Sequence, residues 1–145
     1  MVKVAIKKLH PKVRLPTYKT LGASGMDLMA FIDQTIKLEP KKSTIIPTGI
    51  AVAFSDAYEI QIRPRSGLAA KNNISVLNTP GTIDIDYRGE IKIILYNHGD
   101  KDFIINNEDR IAQMILTPVI KMELEEVDEL PDTLRGKDGF GSTGK

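Results

Sequence analysis

The chain has 145 residues, enough for one domain with an ordinary hydrophobic core and hardly for two. Lys and Arg total 20 against 19 for Asp and Glu, so the near-zero net charge supplies no broad attraction to nucleic acid, and any phosphate binding must be local. The absence of cysteine excludes disulfides, thiolate metal sites and a cysteine nucleophile, while His10 and His98 lie far apart with no recognisable ligand spacing.

In chain order, the Lys-rich start Met1 to Lys8 lacks the apolar region of a signal peptide, and its Val2, Val4 and Ile6 alternate at the period of a strand. ASGMDLMA follows, with Asp27 set between Met26 and Leu28, where a buried structural aspartate is the simplest reading. Ser43 to Phe54 is rich in β-branched residues, and Tyr58, Ile60 and Ile62 alternate again. Helix formers concentrate only near Gly67 to Asn72, which predicts one or two helical turns. Ile91 to Tyr96, Phe103 to Ile105 and Ile111 to Leu116 are further strands between Gly, Pro, Asn and Asp turns, and Ile120, Met122 and Leu124 suggest a last one.

The fold class is therefore all-β with one short helix. Many short strands must hide their edges in a sandwich or barrel, and a jelly roll is common at this size. Residues 1–134 read as the folded domain and residues 135–145 as a Gly-rich mobile tail. No apolar stretch approaches a membrane span, so a soluble, cytoplasmic protein with no membrane partner is expected.

Within the tail, GFGSTG fits the dinucleotide fingerprint and Lys145 adds most of a P-loop pattern, yet both require a following helix that the remaining sequence does not supply. What survives is a strip of amides and hydroxyls able to wrap phosphate, with Arg135 for charge and Phe140 as a face for a base. RPRSGLAAK places Ser66 before the helical turn, where it can cap the helix or help a helix start hold phosphate beside Arg65; Pro-Arg-Ser-Gly is equally a good β-turn. In NTPGTIDIDYRGE, Asp84 and Asp86 would share one face of an extended strand and Ile83 and Ile85 the other. Two carboxylates and a tyrosine around a Gly-bounded hairpin can orient a water for hydrolysis, or simply form a charged solvent face. In DRIAQMI, Gln113 shares its strand face with Ile111 and Ile115 and needs a partner, either backbone or a ligand phosphate or water. Taken singly, each segment reads more simply as structure.

Taken in order, ASGMDLMA, RPRSGLAAK, NTPGTIDIDYRGE, DRIAQMI and RGKDGFGSTG resemble the five motifs of the trimeric deoxyuridine triphosphatases (dUTPases), across residues 23 to 144. The resemblance implies a jelly-roll-like β-barrel, a homotrimer with active sites shared between subunits, and hydrolysis of dUTP to dUMP and pyrophosphate. It implies that Asp84 activates water for attack on the α-phosphorus, that Tyr87 packs on the deoxyribose, and that the hairpin carrying Asn78, Gly81 and Thr82 binds uracil. Arg65, Ser66, Gly67 and Gln113 would hold the phosphates; Arg135, Gly141, Ser142 and Thr143 would close over them while Phe140 covers the base. Mg²⁺ would arrive on the triphosphate, with Asp27 as a water-mediated contact. Such an activity limits uracil incorporation into DNA and supplies dUMP for thymidylate synthesis.

One departure is Asp138, which stands where the family usually has Gly before Gly-Phe-Gly and brings a negative charge toward an anionic ligand. Two alternatives compete: a dCTP deaminase of the same superfamily, against which the Asp84 to Tyr87 segment speaks, and a binding module that has lost turnover, against which the full set of polar residues speaks.

Overall fold

A computed structural model describes residues 1–139 of the chain. Eleven strands and one helix follow in sequence: β1 (Ala5–Lys8), β2 (Met26–Met29), β3 (Ile36–Leu38), β4 (Ser43–Pro47), β5 (Ile50–Ala53), β6 (Tyr58–Arg63), α1 (Ser66–Asn72), β7 (Ile74–Val76), β8 (Gly81–Ile83), β9 (Lys92–Asn97), β10 (Phe103–Ile105) and β11 (Arg110–Pro118). The strands pair antiparallel in the orders β2-β11-β6-β8 and β4-β9-β7, flanked by the pairs β1-β5 and β3-β10. This is a jelly-roll-like, all-β arrangement with one short helix. The expected barrel is not a single closed ring: the hydrogen bonding is divided among these sheets, because consecutive strands repeatedly step from one sheet to another.

The sheets share one apolar cluster. Leu28 and Ile111 enter it from β2 and β11, Ile60 and Ile62 from β6, and Ile93 and Leu95 from β9. Period-two alternation explains this, since every second residue of a strand faces the same side; burying one such aliphatic side chain contributes about 1.5–3 kcal/mol. The predicted run Ser43 to Phe54 contains two strands, broken where Gly49 adopts φ +70°. A Cβ on Gly49 would strike Val13 and lie 3.1 Å from the Phe31 ring, so this turn accepts only glycine.

Two expectations at the chain ends are corrected. Val2 and Val4 precede the first strand, which begins at Ala5, and no strand follows Pro118 among the described residues. Ile120, Met122 and Leu124 alternate as a strand would but are 96%, 82% and 85% exposed. Alternation records that a segment can pair, whereas pairing needs a free edge within reach.

Helix α1 has seven residues, fewer than the ~12–15 at which an isolated helix becomes marginal, so its environment must hold it. Leu68 packs against the core, and Asn73 in the left-handed conformation (φ 56°) closes the C-terminus with its N–H directed to Ala69 and Leu68 carbonyls. The expected Ser66 cap is absent: Arg65 occupies the N-cap without a side-chain cap bond, and Ser66 is already the first helical residue.

Asn97, unremarkable in the sequence, is fully buried at the end of β9. Its Nδ2 donates to the Leu38 and Lys101 carbonyls at 3.0 and 2.8 Å, and its Oδ1 accepts from the Gly99 amide at 2.9 Å. Replacing it with alanine strands two buried backbone groups and one part-buried carbonyl, so Asn97→Ala is expected to lower unfolding free energy by about 3 kcal/mol. Urea denaturation checks this, and a loss below about 1 kcal/mol would contradict the role assigned to the amide.

Candidate functional site

β7 and β8 are consecutive in the chain but belong to different sheets, β7 beside β9 and β8 beside β6, and each is the edge strand of its sheet. The expected hairpin at Asn78 is therefore a crossover between sheets. Leu77 stays attached to β9 through its N–H to the Ile94 carbonyl (2.8 Å), Thr79 N–H reaches the Val76 carbonyl (3.2 Å), and the Thr79–Pro80 peptide is cis. An edge strand carries backbone N–H and C=O groups that no neighbouring strand uses.

A cavity of about 230 Å³ opens between these edges. Asn78, Gly81, Thr82, Asp84 and Tyr87 line it together, as the sequence suggested, and Glu90 and Lys92 join them without having been assigned a role. Gly81 is buried, and a Cβ there would come within 3.2 Å of Asn78 Nδ2 and 3.4 Å of Ile62 Cβ, so the backbone and the Asn78 amide approach closely only because the side chain is missing.

The reading of Asp84 and Asp86 as partners on one strand face is corrected by the turn in which they lie. β8 ends at Ile83, and Tyr87 N–H donates to the Asp84 carbonyl at 3.2 Å, closing a four-residue turn. Ile83 and Ile85 still pack against the core, which leaves Asp84 and Asp86 exposed. Among the described residues no ion pair engages Asp84. A carboxylate so placed at a cavity mouth can orient a water and take its proton.

A second cluster is built where β2, β11 and the start of α1 meet. Arg65 Nε donates to Asp27 Oδ1 at 2.9 Å and its Nη1 to the Arg110 carbonyl at 3.1 Å, while Arg110 Nη1 donates to Asp27 Oδ2 at 3.0 Å. The Arg65 and Asp27 side chains retain only 23% and 18% of their exposure, so the pair is screened less than a surface pair. Asp27, expected to be buried, is part-buried and anchors two guanidinium groups. The Arg65 Nη2 is left uncommitted among the described residues.

Gln113 lies opposite Asp27 in β2 and opposite Arg63 in β6. Its Nε2 donates to the Pro64 carbonyl at 2.9 Å, so it finds a backbone partner and thereby ties β11 to the segment leading into Arg65. Ser66 and Gly67 are exposed at the start of α1, where the first backbone N–H groups lack intrahelical acceptors. The structure therefore gathers Arg65, Ser66, Gly67, Gln113 and Asp27 in one neighbourhood, and none of them lines the cavity that holds Asp84.

Arg135 stands apart on the exposed C-terminal segment, its Nε donating to the Asp138 carbonyl at 2.9 Å. Phe140, Gly141, Ser142 and Thr143 lie outside the described residues. Three residues of these neighbourhoods escaped assignment from sequence. Arg110 and Glu90 stand inside the quoted motifs, but a long-range ion pair or a bond back to a distant turn leaves no local spacing to read. Lys92 looked like an ordinary solvent residue of a strand. As to metal binding, no group of three or more His, Cys, Asp or Glu side chains among the described residues is arranged to hold an ion.

The chain matches the family model for dUTPase over residues 11–144. It is 50% identical to the deoxyuridine 5'-triphosphate nucleotidohydrolase of Syntrophotalea carbinolica over 143 residues, covering 99% of this chain and 97% of the relative. Its identity to the Nautilia profundicola protein of the same name is 54% over 144 residues, covering 99% and 100%. Among solved structures it resembles the Staphylococcus bacteriophage 80alpha dUTPase with dUPNHPP, at TM-score 0.88 and 25% identity over 99% of both chains. A dUTPase mutant of phage phi11, described with a structural Mg(II) ion, shares the fold at TM-score 0.80 and 22% identity, covering 90% of this chain and 99% of that one. Matched along nearly its whole length by these relatives and by the family model, this chain belongs to the dUTPase family.

Proposed function

We propose that this protein hydrolyses dUTP to dUMP and pyrophosphate, at sites shared between the subunits of a homotrimer. The observation that carries this reading is the cavity between the edge strands β7 and β8, which brings Asn78, Gly81, Thr82, Asp84 and Tyr87 to one place. Uracil offers acceptor, donor and acceptor along one edge, which suits the unpaired backbone of β8 and the Asn78 amide. Cytosine replaces one acceptor with a donor and leaves buried groups mismatched, and a tight crossover excludes the methyl group of thymine. Tyr87 packs against the deoxyribose and leaves no room for a 2′-hydroxyl.

Asp84 orients a water in line with the α-phosphorus and takes its proton as the new O–P bond forms; the bond to the bridging oxygen breaks and pyrophosphate leaves. Charge accumulating on the phosphates meets Arg65, with its guanidinium already aimed by Asp27 and Arg110, the Ser66 and Gly67 groups at the helix start, and Gln113. These groups lie outside the Asp84 cavity, which is the arrangement expected when one subunit completes another's site. The tail from Arg135 closes the site, with Phe140 over the base and Gly141, Ser142 and Thr143 around the phosphates, and excludes bulk water.

Mg²⁺ fits this donor set as an ion held by the triphosphate oxygens, since the described residues offer no ready cage of carboxylates and imidazoles. When bound it supplies charge neutralisation and fixes the phosphate geometry. Both Asp27 oxygens already accept from arginine, and its contact with the ion is taken to run through water. Asp138 is exposed and forms no ion pair among the described residues, and it changes affinity modestly. No helix among the described residues is long and apolar enough to cross a membrane. The proposed activity limits uracil in DNA and supplies dUMP, in the cytoplasm.

With Mg²⁺ present, dUTP is expected to yield dUMP and pyrophosphate at least about a hundredfold faster than dCTP, dTTP or UTP, measured as kcat/KM. Ammonia release from dCTP without pyrophosphate would instead identify a deaminase. Asp84→Asn is expected to lower kcat by about 10³-fold while a non-hydrolysable dUTP analogue binds within about threefold of the wild-type affinity. Equal turnover in that variant would remove Asp84 from the chemistry. Inactive Asp84→Asn and Arg65→Ala chains, unfolded together and reassembled, should regain about a fifth of wild-type activity or more if each site draws on two subunits, and recovery no greater than that of either variant alone would place both residues in one chain's site.

A further inference from the structure

Glu90 lies at the end of the loop that begins at Asp84, just before β9, and its side chain turns away from solvent toward the β4–β5 turn. Its Oε1 accepts from the Gly49 amide at 2.8 Å, and its Oε2 faces Lys92 Nζ at 3.8 Å. The next residue is fastened to the same turn: Thr48 Oγ1 donates to the Ile91 carbonyl at 2.6 Å, and Ile91 N–H donates to the Ile50 carbonyl at 2.9 Å.

That turn is itself fixed from behind. Leu9 N–H donates to the Gly49 carbonyl and Phe31 N–H to the Pro47 carbonyl, both at 2.8 Å, and Val13 and Phe31 crowd the Gly49 α-carbon. On its other side, Glu90 offers its backbone carbonyl to Tyr87, whose hydroxyl donates to it at 2.9 Å. Gly89 makes that contact possible, because a Cβ at this position would run into the Tyr87 hydroxyl and ring. Tyr87 remains 43% exposed, so core packing does not hold its ring, and the bond to Glu90 is the restraint on its far end.

We infer that Glu90 is a positioning residue for sugar recognition: its carboxylate hangs the Asp84–Glu90 loop on the rigid Thr48–Gly49 turn and so fixes the Tyr87 ring at the cavity wall. The inference rests on the proposed packing of Tyr87 against the deoxyribose. A ring free to swing outward admits a 2′-hydroxyl, so the tether governs the preference for deoxyribose over ribose and has little influence on phosphate chemistry. The role needs an acceptor oxygen at the Gly49 amide rather than a negative charge, and Lys92 offsets that charge near an anionic substrate.

The test compares kcat/KM for dUTP and UTP in the full-length assembled protein with Mg²⁺. Glu90→Ala is expected to lower the dUTP-to-UTP ratio about tenfold, chiefly by lowering KM for UTP, with kcat for dUTP within about threefold of wild type. Glu90→Gln keeps an acceptor for Gly49 and should retain the ratio within about twofold. Should Glu90→Ala fail to fold, Tyr87→Phe removes only the hydroxyl at the other end of the tether and should lower the ratio similarly, by about tenfold. A folded Glu90→Ala or a Tyr87→Phe protein with the wild-type ratio would overturn the inference, as would Glu90→Gln losing as much as Glu90→Ala. Wild-type protein that cleaves UTP as readily as dUTP would instead refute the sugar-side reading itself, and the inference with it.

Discussion

The constraint on which the site depends is the separation of β7 and β8 into different sheets. Strands adjacent in sequence most often pair with each other, which would satisfy both backbones and leave a closed surface. Here the chain crosses from the β9 side to the β6 side between Leu77 and Pro80, so two edges face a common gap with backbone groups unspent. An exposed edge is ordinarily an aggregation hazard, and under the proposed function it serves instead as a surface on which a planar, hydrogen-bonding base takes the place of a missing strand. Gly81 completes the arrangement by letting Asn78 come close to the β8 backbone.

Electrostatics are organised separately from this gap. Asp27 is shared by Arg65 and Arg110, and the Arg110 carbonyl accepts a further bond from Arg65. The β2–β11 register shifts between Arg110 and Ala112, an irregularity at the position where β11 turns its backbone toward Arg65. An arginine on a long flexible side chain loses conformational freedom when it grips an anion; one held in advance by a carboxylate and a carbonyl has already lost much of it. The net effect is a guanidinium with one nitrogen still presented, beside exposed hydroxyl and amide groups at a helix start.

Apolar surface on the isolated chain points beyond a single subunit. The segment after Pro118 presents Ile120, Met122 and Leu124 to solvent, while Tyr58, Met114 and Leu116, packed against the core but only partly covered, line an open groove with Met26. Contiguous exposed apolar surface of this kind is unusual for a monomer. It accords with the proposed trimer, in which the cavity of one chain and the arginine cluster of another meet.

The sequence by itself determined the all-β class, most strand positions and the one helix among the described residues, because alternation and turn residues are local signals that short antiparallel strands express directly. It also grouped Asn78, Gly81, Thr82, Asp84 and Tyr87, through motif order rather than through any single spacing, and these five line one cavity. Tertiary structure alone decided which strands share a sheet, that Asp84 and Asp86 lie in a turn, and that Ile120 to Leu124 stays unpaired. It also decided the partners of Asp27, Glu90 and Asn97, which are supplied by residues up to 83 positions away. The physical reason is range: a pattern along the chain reports which side of a strand is apolar, whereas the neighbour that meets it is chosen by the packing of the whole core.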